Sequence, residues 1–170
     1  MRPDQTADFE EFVAGSARSL RRTAYLLCGD WQRAEDAAQD ALVKVYVAWP
    51  RIRRRGSAHA YAHRAVATAV VDQSRRPWRR EVATETLPEG RVDPMAPTER
   101  RLAVLAALRE LPDRRRACVV LRYFADLSVA DTATALGIDG GTVKSQTARA
   151  LDQLRVSLAD TGLDLATEDL

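Results

Sequence analysis

Residues 128–155 read SVADTATALGIDGGTVKSQTARALDQLR, and this stretch decides the fold of the C-terminal half. Ser128 is a helix-capping residue type, followed by about two turns of helix-forming sequence. Ala133 is small where two helices must approach closely. Gly137 comes four residues later, where the turn between helices needs positive φ. Leu136, Ile138 and Val143 are apolar at the positions that clamp such a pair. This is the spacing of a helix-turn-helix, whose second helix runs from about residue 141 to 158. Its N-terminal half carries Thr142, Lys144, Ser145, Gln146 and Arg149, side chains able to reach phosphates and base edges in a major groove. The helix N-terminus itself favours phosphate. Val143, Thr147, Ala150, Leu151 and Leu154 form the inward face. A plain helical hairpin does not require the Ala, Gly and Val spacings to coincide with that polar run.

Outward from this motif the chain reads as helical throughout. A helix is expected over about residues 98–110, with Leu102, Leu105, Ala106 and Leu108 on its apolar side. Pro112 opens another, to about residue 125. Residues 77–97 contain Pro77, Pro88, Gly90, Pro94 and Pro97 with little apolar periodicity, which marks a flexible linker. Before it, the spacing predicts helices over about 8–28, 31–48 and 58–75. Asp30 caps the second, Pro50 stops it, and Ser57 caps the third. The segment from Arg51 to Gly56 reads as a basic loop. The fold class is therefore all-α: two small helical domains, residues 1–76 and 98–158, joined by the linker 77–97 and followed by an acidic tail, 159–170.

Charge divides along the same lines. Residues 1–80 hold 15 basic and 9 acidic side chains, residues 81–98 hold 1 and 4, and residues 99–158 hold 10 and 7. The last dozen residues carry 4 acids and no base. Two basic blocks around an acidic segment suit two nucleic-acid-facing modules. The net charge of only +2 implies weak DNA binding by the chain alone. Cys28 and Cys118 stand far apart in apolar surroundings and read as reduced core thiols. No apolar run approaches membrane-spanning length and no signal-peptide pattern opens the chain, so a cytoplasmic protein is expected.

The segment LRELPDRRRACVVLRYFADLSVADTATALGIDGGTVKSQTARALDQLR, residues 108–155, resembles the −35-reading domain of extracytoplasmic-function sigma factors. Leu111, Pro112, Tyr123, Asp126, Leu127, Ser128, Gly137, Gly141, Thr142, Val143, Lys144, Ser145 and Arg149 fall in that pattern. Residues 34–42, AEDAAQDAL, are similar to the helix with which these factors grip the clamp helices of RNA polymerase. Within it Asp36 and Asp40 lie one turn apart, a like-charge pair costing about 0.2–0.5 kcal/mol, which a basic partner surface would offset. The third helix follows the −10-reading pattern, with Tyr61 in the aromatic place, Asp72 in the acidic one and Arg75-Arg76 at the basic end. Thr68 stands where the family usually has Asn, and Ala37 and Ala38 replace bulkier apolar residues. The whole is closest to the short actinobacterial SigE family.

The resemblance implies a set of sites. Glu35, Asp36, Gln39 and Asp40 would bind core polymerase. Arg53, Arg54, Arg55, Tyr61, Arg64, Thr68, Arg75 and Arg76 would meet opened −10 DNA, where stacking and a basic groove hold single strands. Trp78 is a further stacking candidate. Ser128, Thr142, Lys144, Ser145, Gln146 and Arg149 would meet the −35 duplex. The implied partners are core RNA polymerase, through its clamp helices and flap, and promoter DNA. An anti-sigma factor, which holds many family members, is an open expectation. Cofactors, metals, catalytic residues and membrane insertion are not expected.

Two other functional classes fit the sequence less well. A promoter-binding regulator with the same reading module would lack the docking and −10 patterns that residues 8–76 carry in order. An enzyme finds little support. His59 and His63 have a spacing that can hold a metal, but no Glu follows in an HExxH arrangement, and they read as surface histidines.

Overall fold

The computed structural model describes residues 3–52, 55–74 and 99–159. Among these the chain is helical with no strand: α1 (Pro3–Cys28), α2 (Trp31–Ala48), α3 (Arg55–Ser74), α4 (Glu99–Glu110), α5 (Asp113–Val119), α6 (Val129–Leu136) and α7 (Gly140–Ala159). A 3-10 turn, Trp49–Arg51, follows α2, and a π-helical turn, Val120–Phe124, follows α5.

In the N-terminal half α1, α2 and α3 pack on one another. Asp30 caps α2 as expected, its side chain accepting from the Arg33 amide at 2.7 Å. Gly29 makes the preceding turn at φ +72°, a conformation natural to glycine. The inward face of α2 is a seam of small residues, Ala34, Ala37, Ala38 and Ala41, ending at Val45. Their spacing is helical, and their size lets neighbouring helix axes come close. The aromatic rings of Phe9 and Phe12 close the far end by packing against Trp49 at 5.3 and 5.2 Å.

Some expected boundaries move. Helix α1 begins at Pro3, before the expected residue 8, because the polar residues ahead of the first phenylalanine still suit a helix. Helix α3 begins at Arg55, so Ser57 lies inside its first turn and does not cap it. The expected linker, residues 77–97, and the acidic tail beyond Ala159 lie outside the described residues.

In the C-terminal half, α4 buries Val104, Ala107 and Leu108, while Leu102 is 54 % exposed and Ala106 is exposed. The apolar side expected for this helix is therefore rotated: seven apolar residues in a row, 102–108, leave the period ambiguous, and packing against α7 selects the face. Val119, Val120 and Leu121 are fully buried. The Ala125 amide donates to the Val120 carbonyl at 3.1 Å, closing the wide turn, and Asp126 takes φ +51°, a region Asp tolerates better than most residues.

The helix-turn-helix forms as its spacing requires. Ser128 caps α6, its hydroxyl oxygen accepting from the Asp131 amide at 3.0 Å and donating to the Asp131 carboxylate at 2.6 Å. Gly137 ends α6 at φ +64°. Ile138 donates to the Ala133 carbonyl at 3.1 Å, and Val143, Ala150 and Leu154 are fully buried on the inner face of α7. Replacing Ser128 by alanine should cost about 1 kcal/mol of stability and by glycine only a few tenths. Denaturant unfolding of the two variants checks that order.

The two halves also meet. Helix α6 lies against α3, and the π-helical turn lies against α1, so that buried side chains of both halves form one continuous core. This contact overturns the surface placement expected for the histidines. His63 is fully buried, and His59 is half-buried with Nε2 3.0 Å from the Ala125 carbonyl.

Candidate nucleic-acid interface

Helix α7 presents its N-terminal half outward. Asp139 organises the start: it accepts from the Thr142 amide at 2.8 Å and from the Thr142 hydroxyl at 2.5 Å. These bonds hold the Asp139 carboxyl below the ordinary carboxylate range. Ser145 donates its hydroxyl to the Thr142 carbonyl at 3.1 Å, so the hydroxyls of Thr142 and Ser145 face their own helix. Lys144, Gln146 and Arg149 have no hydrogen-bond partner among the described residues, and Lys144 and Arg149 are exposed. These two diverge by about 140° around the helix axis. Between them on the outer surface lies Ala148, exposed, which the sequence reading passed over. Its signal was available: a small residue interrupting a polar stripe permits close approach to a groove floor. Ser128 is exposed at the start of α6, but its hydroxyl is engaged in the cap. Arg114, also exposed, adds a cation at the start of α5.

On α3, Tyr61, Arg64 and Thr68 recur at intervals of three and four and share one face. The Arg64 guanidinium sits 5.1 Å from the Tyr61 ring centroid, a cation–π pair that orients both groups. The Thr68 hydroxyl donates to the Arg64 carbonyl at 2.9 Å. Asp72 is exposed one turn further on. Arg55 opens the helix. Arg53, Arg54, Arg75, Arg76 and Trp78 lie outside the described residues.

The acidic stripe on α2 forms as one surface. Glu35 is braced, accepting from Arg21 of α1 at 3.4 Å and from Gln39 at 3.4 Å. Asp36 is half-buried, while Gln39 and Asp40 are exposed. The same line continues through Val43 and Val47, 63 % and 65 % exposed, with Tyr46 beside them. Exposed apolar residues adjoining an acidic stripe mark an interaction surface. Sequence reading stopped at Asp40 because Val43, Tyr46 and Val47 look like core residues until the alanine seam claims the inner face.

Burial pushes the thiols of Cys28 and Cys118 up, and neither cysteine is bonded to another. Burial, with His59 beside it, lowers His63 to about 3. Among the described residues no three His, Cys, Asp or Glu side chains gather where a metal would sit, and no helix is long and apolar enough to cross a membrane.

Comparison with known proteins matches residues 12–80 to the family described as Sigma-70 region 2 and residues 101–154 to Sigma-70, region 4. The chain is 37% identical over 161 residues to the RNA polymerase sigma-E factor of Streptomyces avermitilis, covering 94% of this chain and 90% of that one. It is 34% identical over 163 residues to the ECF RNA polymerase sigma factor SigM of Mycobacterium tuberculosis, covering 92% and 81%. Its fold is similar to that of the sigma factor RpoE, solved with the anti-sigma factor NepR from Bartonella quintana, at a TM-score of 0.70 and 23% identity over 89% of this chain and 97% of that one.

Proposed function

As a member of the extracytoplasmic-function branch of the sigma-70 family, the chain binds core RNA polymerase and directs promoter-specific initiation, and we propose that α2 docks it, α3 reads the −10 element and α7 reads the −35 element. One observation carries this division of labour: three outward stripes of matching chemistry occur in order along one helical chain. The acidic and apolar stripe of α2 suits a basic helical surface on the polymerase clamp. The Tyr61, Arg64 and Thr68 face of α3 offers a ring for a base and a cation for phosphate, the needs of an opened strand. The resemblance adds Arg53, Arg54, Arg55, Arg75 and Arg76 to the groups that would meet the same strand. On α7, Lys144 and Arg149 stand astride Ala148, whose methyl fits the thymine methyl in a major groove. Gln146 adds an amide, and Thr142, Ser145 and Ser128 line the approach to the backbone.

Bond formation in RNA belongs to the polymerase; this chain supplies placement. It works in the cytoplasm, where polymerase and promoter are. An anti-sigma factor is a natural regulator, and the likeness in fold to RpoE accords with one.

Transcription with purified core polymerase, followed by mapping of start sites, tests the reading. Lys144→Ala and Arg149→Ala should each lower −35-dependent transcription several-fold while leaving core binding intact. If Arg149 pairs bidentately with guanine, its loss removes about 1–3 kcal/mol of discrimination, whereas a lost phosphate contact weakens native and scrambled −35 elements alike. Wild-type transcription by both variants would exclude α7 as the reading helix.

A further inference from the structure

Helix α3 turns one narrow stripe to solvent. From Tyr61 to Asp72 the residues that reach the surface are Tyr61, Arg64, Thr68, Val71 and Asp72, and those between them are buried. The reading just given uses Tyr61, Arg64 and Thr68 and leaves Val71, 40 % exposed, without a role. A single exposed valine is common on protein surfaces. What distinguishes Val71 is the set of groups around it. Arg64 and Val71 are seven residues apart, which places them on nearly one line of the helix, about 10 Å from each other, with Thr68 between them. The Thr68 hydroxyl donates to the Arg64 carbonyl at 2.9 Å. With its hydrogen committed inside the helix, Thr68 has no donor left for a base edge, and its methyl stands one turn from those of Val71. The Arg64 cation is held 5.1 Å from the Tyr61 ring centroid. Asp72, exposed, ends the stripe in a negative charge.

These groups sort the parts of a single strand. Phosphate is drawn to Arg64 and repelled by Asp72, so backbone belongs at the Arg64 end of the stripe and a base at the Val71 end. The base that arrives there meets methyl groups, and neither Thr68 nor Val71 offers its edge a side-chain donor. Of the four bases, thymine is the one that carries a methyl group at its edge. Cytosine carries an amine instead, whose natural partner is the Asp72 carboxylate, about 100° around the helix from Val71.

We propose that Val71, with the Thr68 methyl beside it, selects thymine in the opened −10 strand by apolar contact with its 5-methyl group, an inference that rests on α3 being the −10-reading helix. Selection of this kind is modest for one contact, since burying a single methyl group changes an equilibrium about fourfold. It is directional nonetheless. A base without the methyl loses the contact with Val71 and keeps the Arg64 phosphate contact, so preference and affinity are set by different residues of one stripe.

Thymine and uracil differ by that methyl alone, so the decisive change is made in the DNA. Core polymerase carrying the full chain is titrated with nontemplate-strand oligonucleotides spanning the −10 element found by start-site mapping, each with one thymidine replaced by deoxyuridine. The wild type should lose about fourfold in affinity at one position and little at the others. Val71→Ala should bind the thymine strand more weakly and show no preference for thymine over uracil at that position, while Val71→Ile should keep the preference. Val71 is exposed and alanine is the better helix former, so the alanine variant keeps the fold. A −10 element without thymine, equal binding of thymine and uracil at every position by the wild type, a preference unchanged in Val71→Ala, or cytosine bound more tightly than thymine at the sensitive position would each overturn the proposal. Failure of the −10 assignment itself has another signature: Tyr61→Ala and Arg64→Ala would then bind every strand as the wild type does. Weakened binding by those two variants, with the thymine preference intact in Val71→Ala, would leave the assignment standing and remove Val71 from it.

Discussion

Reversing the α2 charge pair, Asp36→Arg with Asp40→Arg, is expected to weaken association with core polymerase by about a hundredfold. Setting like charges against a complementary surface costs several kcal/mol, and 2.8 kcal/mol, roughly, is a hundredfold. The fold should not suffer. Asp40 is exposed, Asp36 is half-buried, and both face away from the alanine seam. Arginine is the better helix former, and the change exchanges one like-charge pair at one-turn spacing for another. Stability should thus change little while binding falls, which a general loss of structure cannot mimic. Co-purification with tagged core polymerase, beside the far-ultraviolet circular dichroism of each protein, gives both readings. A folded double variant that co-purifies undiminished would remove α2 from the docking surface.

Acid should destabilise the chain through one side chain. His63 is fully buried, and neither ring nitrogen has a hydrogen-bond partner among the described residues. Burial first, and the neighbouring His59 second, lower its pKa from the usual 6.5 to about 3. The folded chain holds this ring neutral while the unfolded chain takes up a proton as pH falls below 6.5. Stability is therefore complete above pH 6.5 and declines as pH falls towards 3. Between pH 7 and pH 5 the loss should be about 2 kcal/mol. His63→Leu removes both the proton site and two unpaired nitrogens, so its stability should be nearly level over that interval. Urea unfolding of the two proteins at pH 7 and pH 5 provides the comparison. An equal acid loss in the leucine variant would assign the effect to another group.

The helix-turn-helix was legible because its determinants are local. A cap at Ser128, a positive φ at Gly137 and an apolar clamp at Val143 are all set within 16 residues of chain, and each forms as read. The outward set Lys144, Gln146 and Arg149 follows directly from that register. His63 was not legible, because what buries it comes from the packing of separate segments: its neighbour His59 meets Ala125, 66 residues away. The outer face of α2 was half legible. Its acids declare themselves by charge, but Val43 and Val47 are exposed only because Ala34, Ala37, Ala38 and Ala41 take the inner positions. Alanine does not announce a core face by hydropathy. Helix α4 misled for the converse reason, its run of apolar residues offering every face at once.

The alanine seam has a thermal consequence. The N-terminal half is cored largely by methyl groups: Ala34, Ala37, Ala38 and Ala41 of α2 meet a third helix that buries Ala58, Ala62, Ala65, Ala67 and Ala69. The C-terminal half buries Leu108, Leu111, Leu121, Leu127, Leu154 and Leu158. Heat capacity of unfolding grows with the apolar area brought into water. Per residue, the methyl-cored half exposes less of it, so its enthalpy and entropy of unfolding change more slowly with temperature. Its stability curve is the flatter of the two, with a weaker tendency to cold denaturation. Cooling and warming therefore act chiefly on the leucine-cored half, and the half carrying α2 holds a more even stability across the same range.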